Sequence, residues 1–257
     1  MGSVALVAWL SASAMAGAAQ PADRTLVLNG HELRLHFANA QRADARALLV
    51  YATGDGGWHR KDLAAYKQLV RLGFPVVGFD ARDYVTHLGA AATTTPQGLA
   101  EDYERVILAA EAALALPADY PVILMGVSRG AGLSVVAAGQ PSRVPQVAAV
   151  VAVALTREEE YVAWFRRLRR RPSRTDVPQI VPVYDYLPRL RMPVAVIQST
   201  RDGYLPAAEA RVLFGPDTPY RWLQPIEARN HSFGGARTQL YLAIRRALDW
   251  VVGVIQR

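Results

Sequence analysis

The 257-residue chain is 51% hydrophobic and 20% charged, a balance that suits one large core and excludes a fibrous or wholly disordered chain. It contains no cysteine, which removes thiol nucleophiles, disulfide frameworks and cysteine-ligated zinc together. Its 29 Lys and Arg against 22 Asp and Glu leave a formal charge of +7, favouring contact with anionic lipid, nucleic acid or cell-wall polymers.

Residues 4–19, Val-Ala-Leu-Val-Ala-Trp-Leu-Ser-Ala-Ser-Ala-Met-Ala-Gly-Ala-Ala, form an apolar run that ends in small residues before Gln20-Pro21. The pattern reads as an export signal over residues 1–19, cleaved near Ala18 or Ala19, and the run is too short for a comfortable membrane span. No Lys or Arg precedes it, so the amino terminus itself must supply the positive n-region. A buried or frayed N-terminal segment is the alternative. Export implies a periplasmic location for residues 20–257, which read as one domain.

Thr25–Asn29 and Glu32–Phe37 flank Asn29-Gly30, a dipeptide that tolerates positive φ, and predict two antiparallel strands. Ala47–Ala52 is an apolar run, a helical stretch from Lys61 stops at Gly73, and Pro75–Asp80 is a second apolar run: strand, helix, strand. The alternation continues with a helix over Pro96–Leu116 and a strand over Pro121–Met125. A helix after Ser128, strands over Val147–Leu155, Val194–Gln198 and Arg221–Ile226, and a helix over Arg237–Val252 complete it. Continuous apolar strands are those of a sheet covered by helices on both faces, so the expected fold class is α/β, a doubly wound, mostly parallel sheet. Residues 156–191 break the alternation and carry Arg166-Arg167-Leu168-Arg169-Arg170-Arg171. They read as a basic, lid-like insertion.

Gly126-Val127-Ser128-Arg129-Gly130 matches G-x-S-x-G, with an apolar strand before it and a helix-forming stretch after it. The serine of such a motif sits on a turn so sharp that its neighbours accept little more than glycine. Its Oγ is left exposed and the next N–H points at the substrate oxygen. Glycine-rich strand-to-helix turns also bind phosphate at a helix N-terminus, and the flanking elements favour the nucleophile.

A serine needs a base, and the chain has five histidines, His31, His36, His59, His87 and His231. The fold that carries this turn, the α/β-hydrolase fold, orders its residues Ser, then Asp or Glu, then His. Only His231 follows Ser128, in the polar loop Ala228–Gly235 between the last strand and the closing helix. The orienting acid belongs after the strand Val194–Gln198, where Asp202 stands in Ser199-Thr200-Arg201-Asp202-Gly203. Its role would be to accept the Nδ1–H of His231, with Asp185, Asp217 and Glu227 as the alternatives. The oxyanion hole would combine the amide of Arg129 with that of Asp55 or Gly56. Both lie in Thr53-Gly54-Asp55-Gly56-Gly57-Trp58, where three glycines in four positions allow the backbone to present N–H groups.

The segments Gly54–Trp58, Pro75–Asp80, Thr95-Pro96, the serine turn, Asp202 and Asn230-His231-Ser232-Phe233 resemble the AcvB/VirJ group of bacterial virulence-associated α/β-hydrolases over residues 47–251. Val127 and Arg129 stand where that group carries aromatic residues beside the serine. The resemblance implies an exported, periplasmic enzyme that cleaves the aminoacyl ester of lysyl-phosphatidylglycerol with a Ser-Asp-His triad and needs no metal or organic cofactor.

Within the insertion, Tyr161, Trp164, Phe165 and Leu168 fall at i, i+3, i+4 and i+7, and the arginines elsewhere, predicting a basic amphipathic helix. Such a helix suits the headgroup region of an anionic membrane, where each Lys or Arg contributes on the order of 1 kcal/mol. It equally suits a lid whose apolar face packs on the sheet. Trp58, Trp164, Phe165, Arg166 and Arg167 are the candidate substrate or membrane contacts. Nucleic acid is disfavoured, since the arginines cluster in one insertion without a recognition motif. The expected partner is an ester substrate, with an anionic phospholipid in the leading reading. The alternatives are a small-molecule carboxylesterase of dienelactone-hydrolase type and a non-catalytic envelope interaction protein.

Overall fold

Asn29 and Gly30, with φ of 50° and 79°, turn the chain between β1 (Arg24–Leu28) and β2 (His31–Ala38). Two positive-φ residues in succession are the turn whose twist matches an antiparallel pair, and Leu28 pairs with His31 across it. The computed structural model describes residues 23–40, 45–88, 95–140, 147–160 and 180–257. The export signal expected over residues 1–19 lies outside them.

Eight strands among the described residues form one sheet in the order β1-β2-β4-β3-β5-β6-β9-β10. Its further members are β3 (Leu48–Ala52), β4 (Val76–Phe79), β5 (Val122–Val127), β6 (Val147–Val153), β9 (Val194–Ser199) and β10 (Arg221–Ile226). The last six run parallel, and only the β1–β2 and β2–β4 pairings are antiparallel. The α/β architecture expected from the apolar runs is therefore the architecture present. The helices are α1 (Arg60–Arg71), α2 (Ala81–Leu88), α3 (Pro96–Leu114), α4 (Arg129–Ala138), α5 (Ala207–Phe214) and α6 (Arg237–Ile255).

The sheet separates two apolar clusters. On one face Leu48, Val50, Leu124 and Val196 pack with Leu99, Tyr103 and Ile107 of α3 and Leu133 and Val136 of α4. On the other, Leu49, Tyr51, Ile123 and Ile197 pack with Tyr66 and Leu69 of α1 and Ile244, Leu248 and Val251 of α6. Successive residues of the buried strands thus feed opposite cores, which is why these strands read as unbroken apolar runs.

Two helices escaped the sequence pattern. α2 begins where the strand ending at Asp80 was expected simply to stop: Asp80 Oδ1 accepts the Asp83 N–H at 3.0 Å, the capping bond that starts a helix. α5 follows Pro206, whose carbonyl accepts from Ala210 at 2.9 Å. α3 closes two residues early, at Ala115 in the left-handed region.

The insertion leaves and rejoins the domain at one place. Its first strand, β7 (Glu158–Glu160), pairs antiparallel with β8 (Ile180–Pro182) outside the main sheet, and a 3-10 helix over Val183–Arg189 leads on to β9. The expected amphipathic helix, with Trp164, Phe165, Arg166 and Arg167, lies outside the described residues.

In the sheet β3 lies between β4 and β5, with Ala52 opposite Phe79 and Gly126. The loops leaving β3 and β5 therefore open side by side at the carboxyl edge of the sheet, the crevice where parallel sheets bind ligands.

Candidate active site

Ser128 stands between β5 and α4 with φ 51° and ψ −115°, a conformation costly for a residue with a Cβ and held only by its surroundings. Ser128 N–H donates to Val153 O at 2.8 Å and Gly130 N–H to Thr53 O at 3.1 Å. The turn is so tight that a Cβ on Gly126 would lie 2.1 Å from the Gly130 carbonyl carbon, and one on Gly130 would lie 2.2 Å from Ala52 O. Both neighbours must be glycine for the serine to project into the crevice.

His231 reaches this serine from the loop between β10 and α6. Its Nε2 lies 2.8 Å from Ser128 Oγ and its Nδ1 lies 2.7 Å from Asp202 Oδ2. With the Nδ1 hydrogen donated to Asp202, Nε2 presents a lone pair to the serine hydroxyl. The loop is fixed by Asn230, whose carbonyl accepts from Phe233 and whose Oδ1 accepts from Gly234, each at 3.0 Å.

Asp202 is 2% exposed, and both of its oxygens are occupied. Oδ1 accepts from the amides of Tyr204 at 2.8 Å and Leu205 at 3.3 Å, and Oδ2 accepts from Gln198 Nε2 at 3.0 Å as well as from His231. The alternative acids lie elsewhere. Asp217 bonds Arg211, Glu227 bonds Thr200 and Arg201, and Asp185 sits in the 3-10 helix.

The loop after β3 approaches the serine from the opposite side: a Cβ on Gly54 would be 3.7 Å from Ser128 Cβ. Three of its amides are committed, Gly54 to Asp62 Oδ1 at 3.1 Å, Gly57 to Gly54 O at 3.0 Å and Trp58 to Asp80 Oδ2 at 2.7 Å. The amides of Asp55 and Gly56 have no acceptor among the described residues, which suits the donor role expected of them. Asp62 also accepts from Tyr51 OH at 3.1 Å, and burial raises its carboxyl above the usual range.

A cavity of about 740 Å³ opens over Ser128 and His231. Asp55, Asp62, Lys61 and Arg237 bring charge to its wall, and Val127, Phe233, Leu240 and Ile244 bring apolar surface. Tyr204, 73% exposed, stands at its mouth with its ring 4.7 Å from the His231 ring. Trp58, expected to touch substrate, is not part of the wall. It stacks on His36 at 4.0 Å and packs edge-on against Tyr66, because the Asp80 bond to its amide turns the side chain behind the loop. Among the described residues no group of His, Asp and Glu is placed to hold a metal ion, and no helix is long and apolar enough to cross a membrane.

Arg129, the neighbour of the serine, is 7% exposed and turns away from the cavity. Its Nε pairs with Asp55 Oδ1, and one terminal nitrogen lies 3.3 Å from Glu159 Oε2 on β7. Glu159, with Thr156 Oγ1 on its other oxygen at 2.6 Å, is pushed up to about 7 by burial against the opposing pull of Arg129.

Residues 46–166 match the family described as bacterial virulence protein (VirJ). The chain has a VirJ-like α/β-hydrolase fold. No curated protein sequence matches it. Among solved structures the VirJ-like chain is similar to an alpha-beta serine hydrolase homologue from Coxiella burnetii (16% identity, 88% of this chain and 97% of that one, TM-score 0.58). It is also similar to an esterase from Pyrococcus furiosus (13%, 91% of each chain, 0.65). A putative dienelactone hydrolase from Klebsiella pneumoniae is a third (14%, 90% and 97%, 0.63). At these identities the likeness is one of fold.

Gln198, Asp62, Asp80 and Tyr204 are site residues that the motifs did not single out. Gln198 carried a signal, a lone amide at the end of the otherwise apolar run Val194-Ala195-Val196-Ile197, since buried polar groups need a partner. Tyr204 carried none, because its position depends on how two loops meet.

Proposed function

We propose that the protein is a serine hydrolase that cleaves carboxylic esters through an acyl-enzyme on Ser128. The unbroken hydrogen-bonded series Ser128–His231–Asp202 carries this reading. As Ser128 Oγ attacks the ester carbonyl, His231 Nε2 takes its proton, and Asp202 stabilises the imidazolium and keeps its orientation. The carbonyl oxygen becomes an oxyanion facing the amides of Arg129 and of Asp55 or Gly56. Collapse of the tetrahedral intermediate expels the alcohol, which takes the proton from His231. A water deprotonated by His231 then attacks the acyl-enzyme, releasing the acid and restoring Ser128.

The substrate we assign is the aminoacyl ester of lysyl-phosphatidylglycerol or a related aminoacylated lipid. The VirJ match supports it, as does a cavity that pairs carboxylates at Asp55 and Asp62 with cations at Lys61 and Arg237, suited to an aminoacyl group joined to a phosphate. Export, supported by the apolar run of residues 4–19, belongs to the same reading. So does peripheral contact with an anionic membrane through the arginines of residues 166–171. A small ester of the kind a dienelactone hydrolase takes is the second reading, favoured by the likeness to the Klebsiella pneumoniae structure.

The test is labelling by a fluorophosphonate probe beside Ser128→Ala, followed by assays on lysyl-phosphatidylglycerol and on short p-nitrophenyl esters. Labelling lost in Ser128→Ala and release of lysine from the lipid support the full reading. Hydrolysis of short esters alone supports the second, and equal signals from wild type and Ser128→Ala sink both.

A further inference from the structure

We propose that Arg129 is a positioning residue whose side chain holds the Asp55–Gly56 segment in place as the second oxyanion donor and ties it to the base of the insertion. The proposal rests on the hydrolase reading and concerns how its oxyanion hole is kept assembled.

The loop after β3 is anchored at its two ends and not in its middle. Gly54 is held by Asp62, and Trp58 by Asp80. Between them Asp55 and Gly56 are exposed, and a chain segment with exposed backbone and few packed atoms is where local mobility concentrates. Asp55 contributes a contact that crosses to the serine turn, its carboxylate pairing with Arg129 Nε. The Asp55 side chain is 61% exposed, whereas that of Arg129 is 8% exposed, so the fixed partner is the arginine. Arg129 is held in turn by Glu159, whose side chain is 6% exposed. Glu159 lies over α4 in room that Gly132 provides: a Cβ there would come 2.2 Å from Glu159 Cγ.

One residue thus serves both halves of the oxyanion hole. Arg129 is the first residue of α4 and offers its own amide to the oxyanion, while its side chain fixes the loop that offers the other. The forked guanidinium suits the task, since it can bond two carboxylates at a set angle and stays charged at any physiological pH. Because Glu159 belongs to β7, the insertion and the oxyanion loop are joined through one buried cation. This accounts for an arginine beside the nucleophile without any contact to substrate.

The test compares wild type with Asp55→Ala, Asp55→Asn and Arg129→Lys on short p-nitrophenyl esters at pH 8, where Glu159 is ionised. Asp55→Ala is expected to lower kcat by about tenfold to a hundredfold, somewhat less than the roughly 10² to 10³ lost with an oxyanion donor itself. KM stays within about twofold and Tm is unchanged, because the side chain removed is exposed. Asp55→Asn recovers most of the loss, since its Oδ1 still accepts from Arg129, and Arg129→Lys, which cannot fork, loses kcat as Asp55→Ala does. Wild-type kcat in Asp55→Ala overturns the proposal. So does a fall in kcat that Asp55→Asn shares fully or that comes with a lowered Tm, which marks a structural role. Hydrolysis surviving in Ser128→Ala, or a wild type that neither hydrolyses nor takes a fluorophosphonate label, overturns the hydrolase reading instead.

Discussion

His231 and Asp202, 29 residues apart in the chain, meet through Nδ1 and Oδ2 at 2.7 Å, and that contact decides which nitrogen of the imidazole faces Ser128. In Asp202→Asn an amide can meet Nδ1 as a donor, which leaves the hydrogen on Nε2, where the serine proton must go. We expect kcat to fall by about 10³- to 10⁴-fold with the fold intact. Ester hydrolysis and circular dichroism on the purified variant check this, and a loss under tenfold would remove Asp202 from the role.

Gln198 gives one amide hydrogen to Asp202 and the other to Leu205 O, at 3.0 and 2.6 Å. Gln198→Leu removes both donors from buried acceptors, at a cost of about 1–3 kcal/mol of stability. It also loosens the carboxylate that orients His231. Urea denaturation should show the first effect and a severalfold lower kcat the second.

At Gly126 and Gly130 the obstacle to any side chain is backbone, which cannot move aside without opening the serine turn. Gly126→Ala and Gly130→Ala are expected to destabilise the protein by more than about 3 kcal/mol or to abolish soluble expression. A folded, active Gly130→Ala would mean the turn is looser than its contacts imply.

Glu159 gives the stability a pH dependence of definite sign. Its carboxyl is pushed up to about 7 in the folded protein from an ordinary value of 4.5, so between these values the folded chain keeps a proton that the unfolded chain has released. Stability contributed by this group is therefore full below about 4.5, falls as pH rises to about 7, and is level beyond. Glu159→Gln should flatten that slope in denaturation curves taken from pH 4.5 to 8. An unchanged slope would assign it to other groups.

Tyr204 stands exposed beside the imidazole at the cavity mouth, where it can touch substrate but takes no proton. We expect Tyr204→Ala to raise KM on bulky esters by severalfold and to leave kcat on short ones nearly unchanged. A large fall in kcat on every ester would instead show that the ring orders His231.

Much of the fold and of the site's geometry was legible in order along the chain. The apolar runs named the parallel strands, because burial on both faces leaves no polar alternation. The glycines at 126 and 130 marked the serine turn, because no other residue fits it. His231 and Asp202 followed from chain order in a chain with a single downstream histidine. Trp58 stands outside the cavity wall for a tertiary reason: proximity to a site in sequence does not say which way a side chain leaves its loop, and with the bond from Asp80 across 22 residues the ring stacks on His36. Arg129 shows the same division. Its place beside Ser128 is a fact of sequence, but whether a guanidinium there faces the cavity or carboxylates depends on Asp55 and Glu159, brought within reach by the pairing of β3 with β5 and the return of the insertion over α4. Local order along the chain determines which groups are present and how the backbone can turn. Only packing between distant segments, which buries some of these groups and exposes others, decides what each of them touches.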